Sequence, residues 1–293
     1  MATRFEIVLP GTRTETLRAA GEEALAEIER IESWLSVHRP GTPLAAVNAG
    51  AYRQRVPVSP PIFELLKRAQ ELSRLTNGAF DPTIGPLVSA WRRAAEGGTT
   101  TPKDWEQSLA TARAAGGWLN VELDEITGTV RFHHPNARLD LGSIGKGWAL
   151  DRAVTCLRDA GITTALLHGG TSTVCAIGTP PDGDAWIVEL ADAPVRCAAP
   201  SGPEPIRERV RLRDASLSVS ATWGRTLVDP FGKAHGHVLD PNSGEPVPGA
   251  RLAAVAGPAA TETDALSTAL LVAGRSLIPS LQAFHPCLRF WLN

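Results

Sequence analysis

Residues Leu139–Asp151 read LDLGSIGKGWALD and place a single lysine, Lys146, among three glycines. The segment ARLDL, which ends at Leu141, is predicted as a short strand, and a helix is predicted from about Lys146 to Ala160. The glycines then form the turn between them. Ser143 and Lys146 also have the S-x-x-K spacing of a serine acylase nucleophile and its base. Three roles are therefore open for Lys146: a catalytic base, a phosphate clamp, or part of a turn.

The surrounding motifs favour the phosphate clamp. The S-D-N and K-T-G motifs that accompany S-x-x-K in acylases are absent from the sequence. The P-loop pattern G-x-x-x-x-G-K-[ST] also fails, because Gly147 follows Lys146 and Asp140 occupies the position of the first glycine. A lysine at a helix start opposes the usual dipole preference, and an anionic ligand nearby would relieve this. Lys146 is therefore predicted to hold a phosphate or an adenosine group.

The rest of the chain predicts an α+β fold, with helices mainly in the first half and strands in the second. Further helices are predicted at residues 14–38, from Ser59 to the residue before Asn77, from Thr101 to Gly116 and from near Thr261. Further strands are predicted in RFEIVLP, WLNVEL, GTVRFH, TTALLHGG, STVCAIG, DAWIVEL, IRERVRL, LSVSA, GHVLD and ARLAAVA. This order differs from a regular βαβ series. The Pro- and Gly-rich segment at residues 193–206 is predicted to be a flexible loop.

Composition argues against several classes of partner and site. The formal net charge is -2, so bulk electrostatics indicate no nucleic-acid or anionic-membrane partner. The four cysteines form no C-x-x-C pair, which argues against a zinc site or a dithiol redox site. There is no run of about 20 apolar residues, so no transmembrane segment is expected. The N-terminal residues lack a signal-peptide core. The chain as given is expected to be cytoplasmic, and an exported protein without its leader would have the same sequence.

The segment TETDALSTALLVAG, residues 261–274, carries a candidate magnesium site. Asp264 and Thr268 are four residues apart, so on a helix their oxygens project from one face. A carboxylate, a hydroxyl and a backbone carbonyl from elsewhere make a hard-oxygen site suited to Mg²⁺. The alternative is helix capping, with Thr261 as the N-cap and Asp264 at the third helical position. The motif alone leaves both interpretations open.

Three further segments combine glycine turns with polar side chains. In GHVLDPNSGEP, His237 precedes a predicted turn and is suited to act as a base or a phosphate donor, since imidazole titrates near neutrality. His235 and His237 also have the spacing of a metal pair on a strand, but no third ligand is adjacent. TNGAFDPTIGPLVSAW and LLHGGTSTV are either turns or places where glycines let a ligand approach the backbone.

Taken in order, these motifs resemble those of the ApbE family of flavin transferases, and the resemblance runs through nearly the whole chain. It rests on GAFDPTIGPLVSAW, LDLGSIGKGWALD, LLHGGTSTVCAIG, HVLDPNSGEPV and TDALSTALLVAG. The resemblance implies that FAD is the substrate, with Mg²⁺ on its pyrophosphate. It further implies that the FMN half is transferred to a Thr or Ser hydroxyl of an acceptor protein, with release of AMP.

The same resemblance implies an α+β fold related to the tunnelling fold. Antiparallel sheets and packed helices would form two lobes around an FAD cleft, and residues 1–293 would be one catalytic domain. Two alternatives to protein flavinylation follow as well. Some members of the family hydrolyse FAD to FMN and AMP, as a pyrophosphatase does, and a non-catalytic FAD-binding protein would carry similar motifs.

The resemblance also implies roles for individual residues. Asp264 and Thr268 would bind Mg²⁺ together with the backbone carbonyl of Ser143. Asp264 and His237 are the expected catalytic residues, and His237 would accept the proton of the acceptor hydroxyl. The expected FAD contacts are His38, Ala79, Phe80, Asp81, Asp140, Lys146 and Leu239.

The chain departs from the family pattern around the flavin and the acceptor. Ala221 and Trp223 replace the glycine and the tyrosine of the family's S-G-x-Y-x-R motif. His38 stands where a tyrosine often packs on the flavin, and Thr171 follows the double glycine where Asn or Asp is usual. The metal-site residues match the family. The pattern therefore supports metal and FAD binding more strongly than it supports protein flavinylation.

Overall fold

The computed structural model of the chain describes residues 3–11, 14–37, 39–97, 101–191, 207–249 and 251–293. Two sequence-based expectations lie outside these residues: His38 as a flavin contact and the loop at residues 193–206. Within the described residues, helices combine with antiparallel sheets. The α+β prediction is therefore confirmed.

Helices form where the sequence supplies caps and prolines at their starts. Thr14, Thr42 and Thr101 each accept a hydrogen bond from the amide three residues later, which satisfies one of the free donors of a helix start. The helices of the described residues are α1 (Glu15–Leu35), α2 (Pro43–Gly50), α3 (Pro60–Leu75), α4 (Gly85–Ala95), α5 (Pro102–Ala115), α6 (Gly145–Asp159), α7 (Ala260–Ala273) and α8 (Ile278–Phe284).

The strands form one large sheet and three small ones. They are β1 (Phe5–Val8), β2 (Val56–Pro57), β3 (Val121–Asp124), β4 (Thr129–Phe132), β5 (Ala165–Gly169), β6 (Thr173–Ile177), β7 (Trp186–Ala191), β8 (Arg207–Leu212), β9 (Ala215–Ala221), β10 (Thr226–Val228), β11 (Ala234–Gly236), β12 (Leu252–Gly257) and β13 (Arg289–Leu292). The main sheet has the order β1-β5-β6-β9-β12-β13, and all its neighbours are antiparallel. The small sheets are β2-β4-β3, β7-β8 and β10-β11.

Both faces of the main sheet are covered. Strands β6 and β12 are buried along their whole length, which requires packing on both sides. Cys175 and Val255 belong to the main core that α6 and α7 share with the sheet, whereas Val174 and Ala254 pack with the β7-β8 sheet. Helix α7 lies on β9 and β12 and also packs against α6. The sheet therefore sets the positions of α6 and α7, which carry the candidate site.

Two predicted strands are not formed in the described residues. Residues 138–141 of ARLDL belong to no strand, and the amide and the carbonyl of Leu139 bond to the Asn48 side chain. The Asp140 amide donates to the Pro82 carbonyl at 2.7 Å. The backbone groups of Leu139 and Asp140 that would pair in a strand ladder are therefore already bonded to Asn48 and Pro82. In GHVLD, β11 ends at Gly236 and only an isolated bridge follows at Leu239, because the chain enters a turn.

The structure also contains elements that the sequence patterns did not predict. Helix α4 begins at Gly85 inside the segment TNGAFDPTIGPLVSAW, with a proline in its first turn, where a missing amide costs nothing. Helices α2 and α8 and strands β2, β10, β11 and β13 are short, and short elements leave weak periodicity. No helix in the described part of the chain combines the length and hydropathy that a membrane crossing requires.

Candidate functional site

Helices α6 and α7 bring their N-termini together, and α6 supplies the cap of α7. Asp151 accepts hydrogen bonds from the amides of Ala260 and Thr261, both at 2.8 Å, and from the Thr261 hydroxyl at 2.5 Å. The N-cap position itself is Ala259, which has no capping side chain. The capping alternative for Thr261 is therefore wrong, because the carboxylate that satisfies these amides comes from the neighbouring helix.

Asp264 of α7 caps α6 in return and forms an ion pair there. Its Oδ2 accepts a hydrogen bond from the Gly147 amide at 3.1 Å, and Lys146 Nζ lies 3.0 Å from its Oδ1. The Thr173 hydroxyl lies 3.4 Å from the same Oδ1. Asp264 is 3% exposed and the Lys146 side chain 20%, so the pair is largely shielded from water, which strengthens the charge interaction. Two residues from separate motifs therefore meet at one point.

The two helix ends approach so closely that only glycine fits at position 147. A Cβ atom there would lie 2.0 Å from the Ala260 carbonyl oxygen and 2.8 Å from the Thr261 amide nitrogen. Each helix start carries partial positive charge from its aligned peptide dipoles, and Asp151 and Asp264 bond some of its amides. The close crossing therefore places two such ends beside the Asp264–Lys146 pair, an arrangement suited to an anion.

The third predicted metal ligand, the Ser143 carbonyl, accepts no hydrogen bond from any described residue. If α6 began one turn earlier, the Gly147 amide would donate to the Ser143 carbonyl. That amide donates to Asp264 instead. Thr268 lies one turn after Asp264, and its hydroxyl contacts the Ser220 hydroxyl at 3.0 Å. The structure thus places two predicted ligands on one face of α7 and leaves the oxygen of the third free.

Ala79, Phe80 and Asp81 are all buried in the segment before α4. Burial raises the pKa of Asp81, and hydrogen bonds from Thr83 and from the Trp118 amide oppose this rise. Asp81 Oδ1 accepts from the Thr83 amide at 2.7 Å, and Oδ2 accepts from the Trp118 amide at 3.1 Å. The carboxylate therefore holds this segment together. Contact of the three residues with FAD stays a prediction.

Asp140 and Leu239 extend the candidate site in two directions. The bond from the Asp140 amide to Pro82 places Asp140 beside the Asp81 segment, and its carboxylate accepts from the Gly142 amide at 2.9 Å. Leu239 is 6% exposed and packs in a buried cluster with Trp91. Contact of both residues with FAD stays a prediction. The Leu239 side chain already packs in a buried cluster.

His237 is exposed, and the charge of Lys146 is among the causes that act on its pKa. Partial desolvation of the ring lowers the pKa of His237, and the positive charges of Arg225 and Lys146 lower it further, against a hydrogen bond to the Arg225 backbone. A neutral imidazole at pH 7 is able to accept a proton. The structure therefore brings the predicted base into the field of the predicted phosphate clamp.

His235 has a carboxylate partner rather than a second histidine. Its Nε2 lies 2.9 Å from Asp229 Oδ2, across the turn of the β10-β11 hairpin. No group of three or more His, Cys, Asp or Glu side chains that could hold a metal occurs among the residues that the structure describes. The side-chain partner of His235 is therefore a residue of its own hairpin, Asp229.

Three residues of the site escaped the sequence analysis: Asp151, Thr173 and Ser220. Asp151 closes the stretch LDLGSIGKGWALD, so its position next to a predicted helix was visible, but its partner is more than a hundred residues away. Thr173 and Ser220 reach the site from β6 and β9. Residue spacing does not show such contacts, because they arise only when the sheet forms.

Comparison with known proteins gives one consistent family. The ApbE family profile matches residues 1–287. An FAD:protein FMN transferase of Klebsiella pneumoniae (strain 342) is 31% identical over 249 residues, which are 83% of this chain and 73% of that protein. Another, from Rhodobacter capsulatus, is 32% identical over 243 residues, or 82% of this chain and 43% of that protein. The names of these relatives confirm the expectation of a transferase.

Solved structures agree with the sequence comparisons. The ApbE protein of Thermotoga maritima matches with a TM-score of 0.81 at 26% identity, over 99% of this chain and 90% of that one. The flavin transferase ApbE of Vibrio cholerae has the same fold, with a TM-score of 0.80 at 22% identity over 100% and 90% of the two chains. Motif order, fold and family profile agree over nearly the full length, and the chain belongs to the ApbE family.

Proposed function

We propose that the chain is an FAD:protein FMN transferase, which moves FMN from FAD to a Thr or Ser hydroxyl of an acceptor protein and releases AMP. The observation that carries the proposal is the meeting of Asp264, Lys146 and two helix N-termini. The pyrophosphate of FAD is anionic, and this arrangement offers it the Lys146 cation, which is shared with Asp264, and the partial positive charge of the helix starts. The names of the curated relatives support the same activity.

The residues present fit a magnesium ion. Mg²⁺ prefers oxygen ligands such as carboxylates, hydroxyls and carbonyls. Asp264 offers a carboxylate, Thr268 a hydroxyl one turn later, and Ser143 a carbonyl that no described residue engages. These three residues would hold the ion. When bound, Mg²⁺ would neutralise negative charge on the pyrophosphate and on the leaving AMP.

The proposed step is a single displacement at phosphorus. The oxygen of the acceptor hydroxyl bonds to the FMN phosphorus, and the bond from that phosphorus to the bridging oxygen breaks. AMP leaves with the bridging oxygen, and the hydroxyl proton passes to the neutral His237. Lys146 is proposed to hold the phosphates in place. Such a transfer needs mainly positioning and charge neutralisation, so the site requires no covalent enzyme intermediate.

The fall in turnover on the acid side of the pH profile is expected to report the protonation of His237. Turnover should fall as the pH drops through an apparent pKa below 6.5, the ordinary value, because partial desolvation and the charges of Arg225 and Lys146 favour neutral imidazole. Replacing Arg225 with glutamine removes one of these charges, so the falling limb should move to higher pH. The measurement is kcat/KM for AMP release against pH in both proteins.

A matched variant identifies the group that titrates. His237→Gln should lower turnover by about 10²–10⁴-fold and abolish this limb, since the proton acceptor is gone. A limb centred above pH 6.5 in the unmodified protein would contradict a His237 whose pKa lies below its ordinary value. An unmoved limb in Arg225→Gln would show that Arg225 does not tune it.

Two alternative functions share the FAD site. Water as the acceptor would give an FAD pyrophosphatase, and loss of turnover would give a non-catalytic FAD-binding protein. The observation that favours them is the altered acceptor-side motif, where Trp223 is partly buried against the cluster between the main sheet and the β7-β8 sheet. FAD and an acceptor protein are the partners that the leading proposal requires, and residues 1–293 would act as one catalytic domain.

One incubation separates these functions. The protein is incubated with FAD, with and without Mg²⁺, and with candidate acceptor polypeptides that expose Thr or Ser hydroxyls. Covalent flavin fluorescence in a denaturing gel together with AMP supports the transferase. Free FMN with AMP indicates the pyrophosphatase. Bound, intact FAD and no AMP under any condition would overturn both enzymatic functions.

A further inference from the structure

The hairpin that leads to His237 has little support of its own. Strands β10 and β11 form an isolated two-stranded sheet of three residue pairs. A two-stranded hairpin of this kind is marginally stable in water unless something packs on it. One side of the hairpin borders a cavity of about 680 Å³, lined in part by Trp223 and Pro248. The hairpin must therefore be fixed from its other side and from within its turn.

Asp229 fixes the turn from within. Its Oδ1 accepts hydrogen bonds from the amides of Phe231 and Lys233, both at 2.9 Å, and its backbone pairs with Lys233 and Gly232. Its other oxygen, Oδ2, bonds to His235 Nε2 at 2.9 Å. This bond is the main cause that lowers the pKa of Asp229. One carboxylate thus joins the turn to the strand that ends next to His237.

Trp91 of α4 fixes the hairpin from the outside. The His235 ring packs edge-on against the Trp91 ring, with centroids 5.4 Å apart. The Trp91 indole N–H donates to the Gly244 carbonyl at 2.9 Å, in the turn that follows Leu239. Trp91 itself is 1% exposed, so it is an immobile anchor. The same ring therefore holds the chain on both sides of residues 237–239.

The register of the hairpin transmits this anchoring to His237. Thr226 pairs with Gly236, so the next positions along the two strands are Arg225 and His237. These two residues are therefore neighbours just beyond the paired part of the hairpin. Any displacement of β11 would move His237 away from Arg225 and from Lys146.

We propose that His235 is a positioning residue for His237, acting through its bond to Asp229 and its packing on Trp91. The inference rests on the proposed function, in which His237 accepts the hydroxyl proton. His235 touches neither FAD nor the reacting atoms in this proposal. It holds the hairpin in the position where His237 lies next to Arg225 and within the field of Lys146.

The test uses His235→Ala and His235→Gln in the full chain. His235→Ala should lower kcat for FMN transfer by about tenfold, because small displacements of a catalytic group are costly, while FAD affinity stays within about twofold. His235→Gln keeps a donor for Asp229 and should recover most of the loss. Lys233→Gln, on the same hairpin but without a described ion-pair partner, is the matched control and should behave as the unmodified protein.

A second readout is independent of turnover. In NMR titrations, the His237 ring signal is identified by its absence in His237→Gln. Loosening of the hairpin moves this ring away from the positive charges of Arg225 and Lys146, so in His235→Ala its pKa should rise toward the ordinary histidine value while the thermal midpoint changes little. Arg225 and Lys146 are the charged groups that face His237, and both are retained in this variant.

The outcomes separate the two proposals. An NMR shift in His235→Ala supports the positioning role even if the unmodified protein transfers no FMN, a result that would reject only the proposed function. Unchanged His237 titration in His235→Ala overturns the positioning role, whether kcat falls or not. A fall in kcat/KM that comes only from weaker FAD binding, with kcat unchanged, also overturns it.

Discussion

Asp264→Ala should reduce Mg²⁺-dependent AMP release from FAD by about 10³-fold or more. Loss of the only charged ligand in the proposed metal site removes several kcal/mol of charge stabilisation, and each 1.4 kcal/mol is a factor of ten in rate. The change also leaves the Lys146 ammonium and the Gly147 amide without their partner. The variant therefore combines a functional defect with a local structural one.

Asp264→Asn separates the two effects. An asparagine keeps the volume and an acceptor oxygen for the Gly147 amide, but it carries no charge. Its thermal midpoint should lie above that of Asp264→Ala, because the bond to the Gly147 amide is kept, while Mg²⁺-dependent turnover should stay as low as in Asp264→Ala. Asp182→Asn, in the exposed turn before β7, is the matched control and should keep full activity. Near-normal turnover in Asp264→Asn would contradict the metal assignment.

Gly147→Ala should destabilise the protein strongly and abolish activity. The new Cβ would lie 2.0 Å from the carbonyl oxygen of Ala260, a backbone atom that cannot rotate away. The ends of α6 and α7 would have to separate, which breaks the caps from Asp151 and Asp264 together. Such overpacking costs about 3 kcal/mol or more. At about 2–4 °C per kcal/mol, the thermal midpoint should fall by about 6–12 °C.

A second helix glycine provides the control for this prediction. In Gly21→Ala, the nearest atom to the new Cβ is the flexible end of Leu9, at 3.3 Å. Alanine is favoured over glycine inside a helix, so this variant should be unchanged or more stable by up to about 1 kcal/mol. Thermal denaturation of both variants makes the comparison. Equal midpoints would contradict the close crossing of α6 and α7.

The sequence predicted the parts of the fold that have strong local signals. Helices α1, α3, α5, α6 and α7 follow from apolar periodicity, proline and threonine starts and glycine ends. ARLDL failed because Asn48 and Pro82, distant in sequence, take the backbone groups of Leu139 and Asp140. Alternation of residue types reports which face is buried, and it does not report which backbone partner is nearest.

For the site, the motifs identified residue types but not their pairing. Lys146 and Asp264 were assigned to a phosphate clamp and a metal ligand, and the structure joins them in one ion pair. Thr261 was weighed as the N-cap of α7 with Asp264 at its third position, but Asp264 caps α6 and Asp151 caps α7. These contacts depend on how two helices cross on the main sheet. Local spacing carries no information about that crossing.

The most direct test of the proposed function is the ratio of AMP released to FMN joined covalently to an acceptor. Both are measured in one incubation with FAD and Mg²⁺, by chromatography for AMP and by mass spectrometry for the acceptor. We expect a ratio of about one, with both products lost in Asp264→Asn, because the proposed step makes one P–O bond for each one broken. AMP with no acceptor-linked FMN, or no AMP at all, would contradict the transfer of FMN to protein.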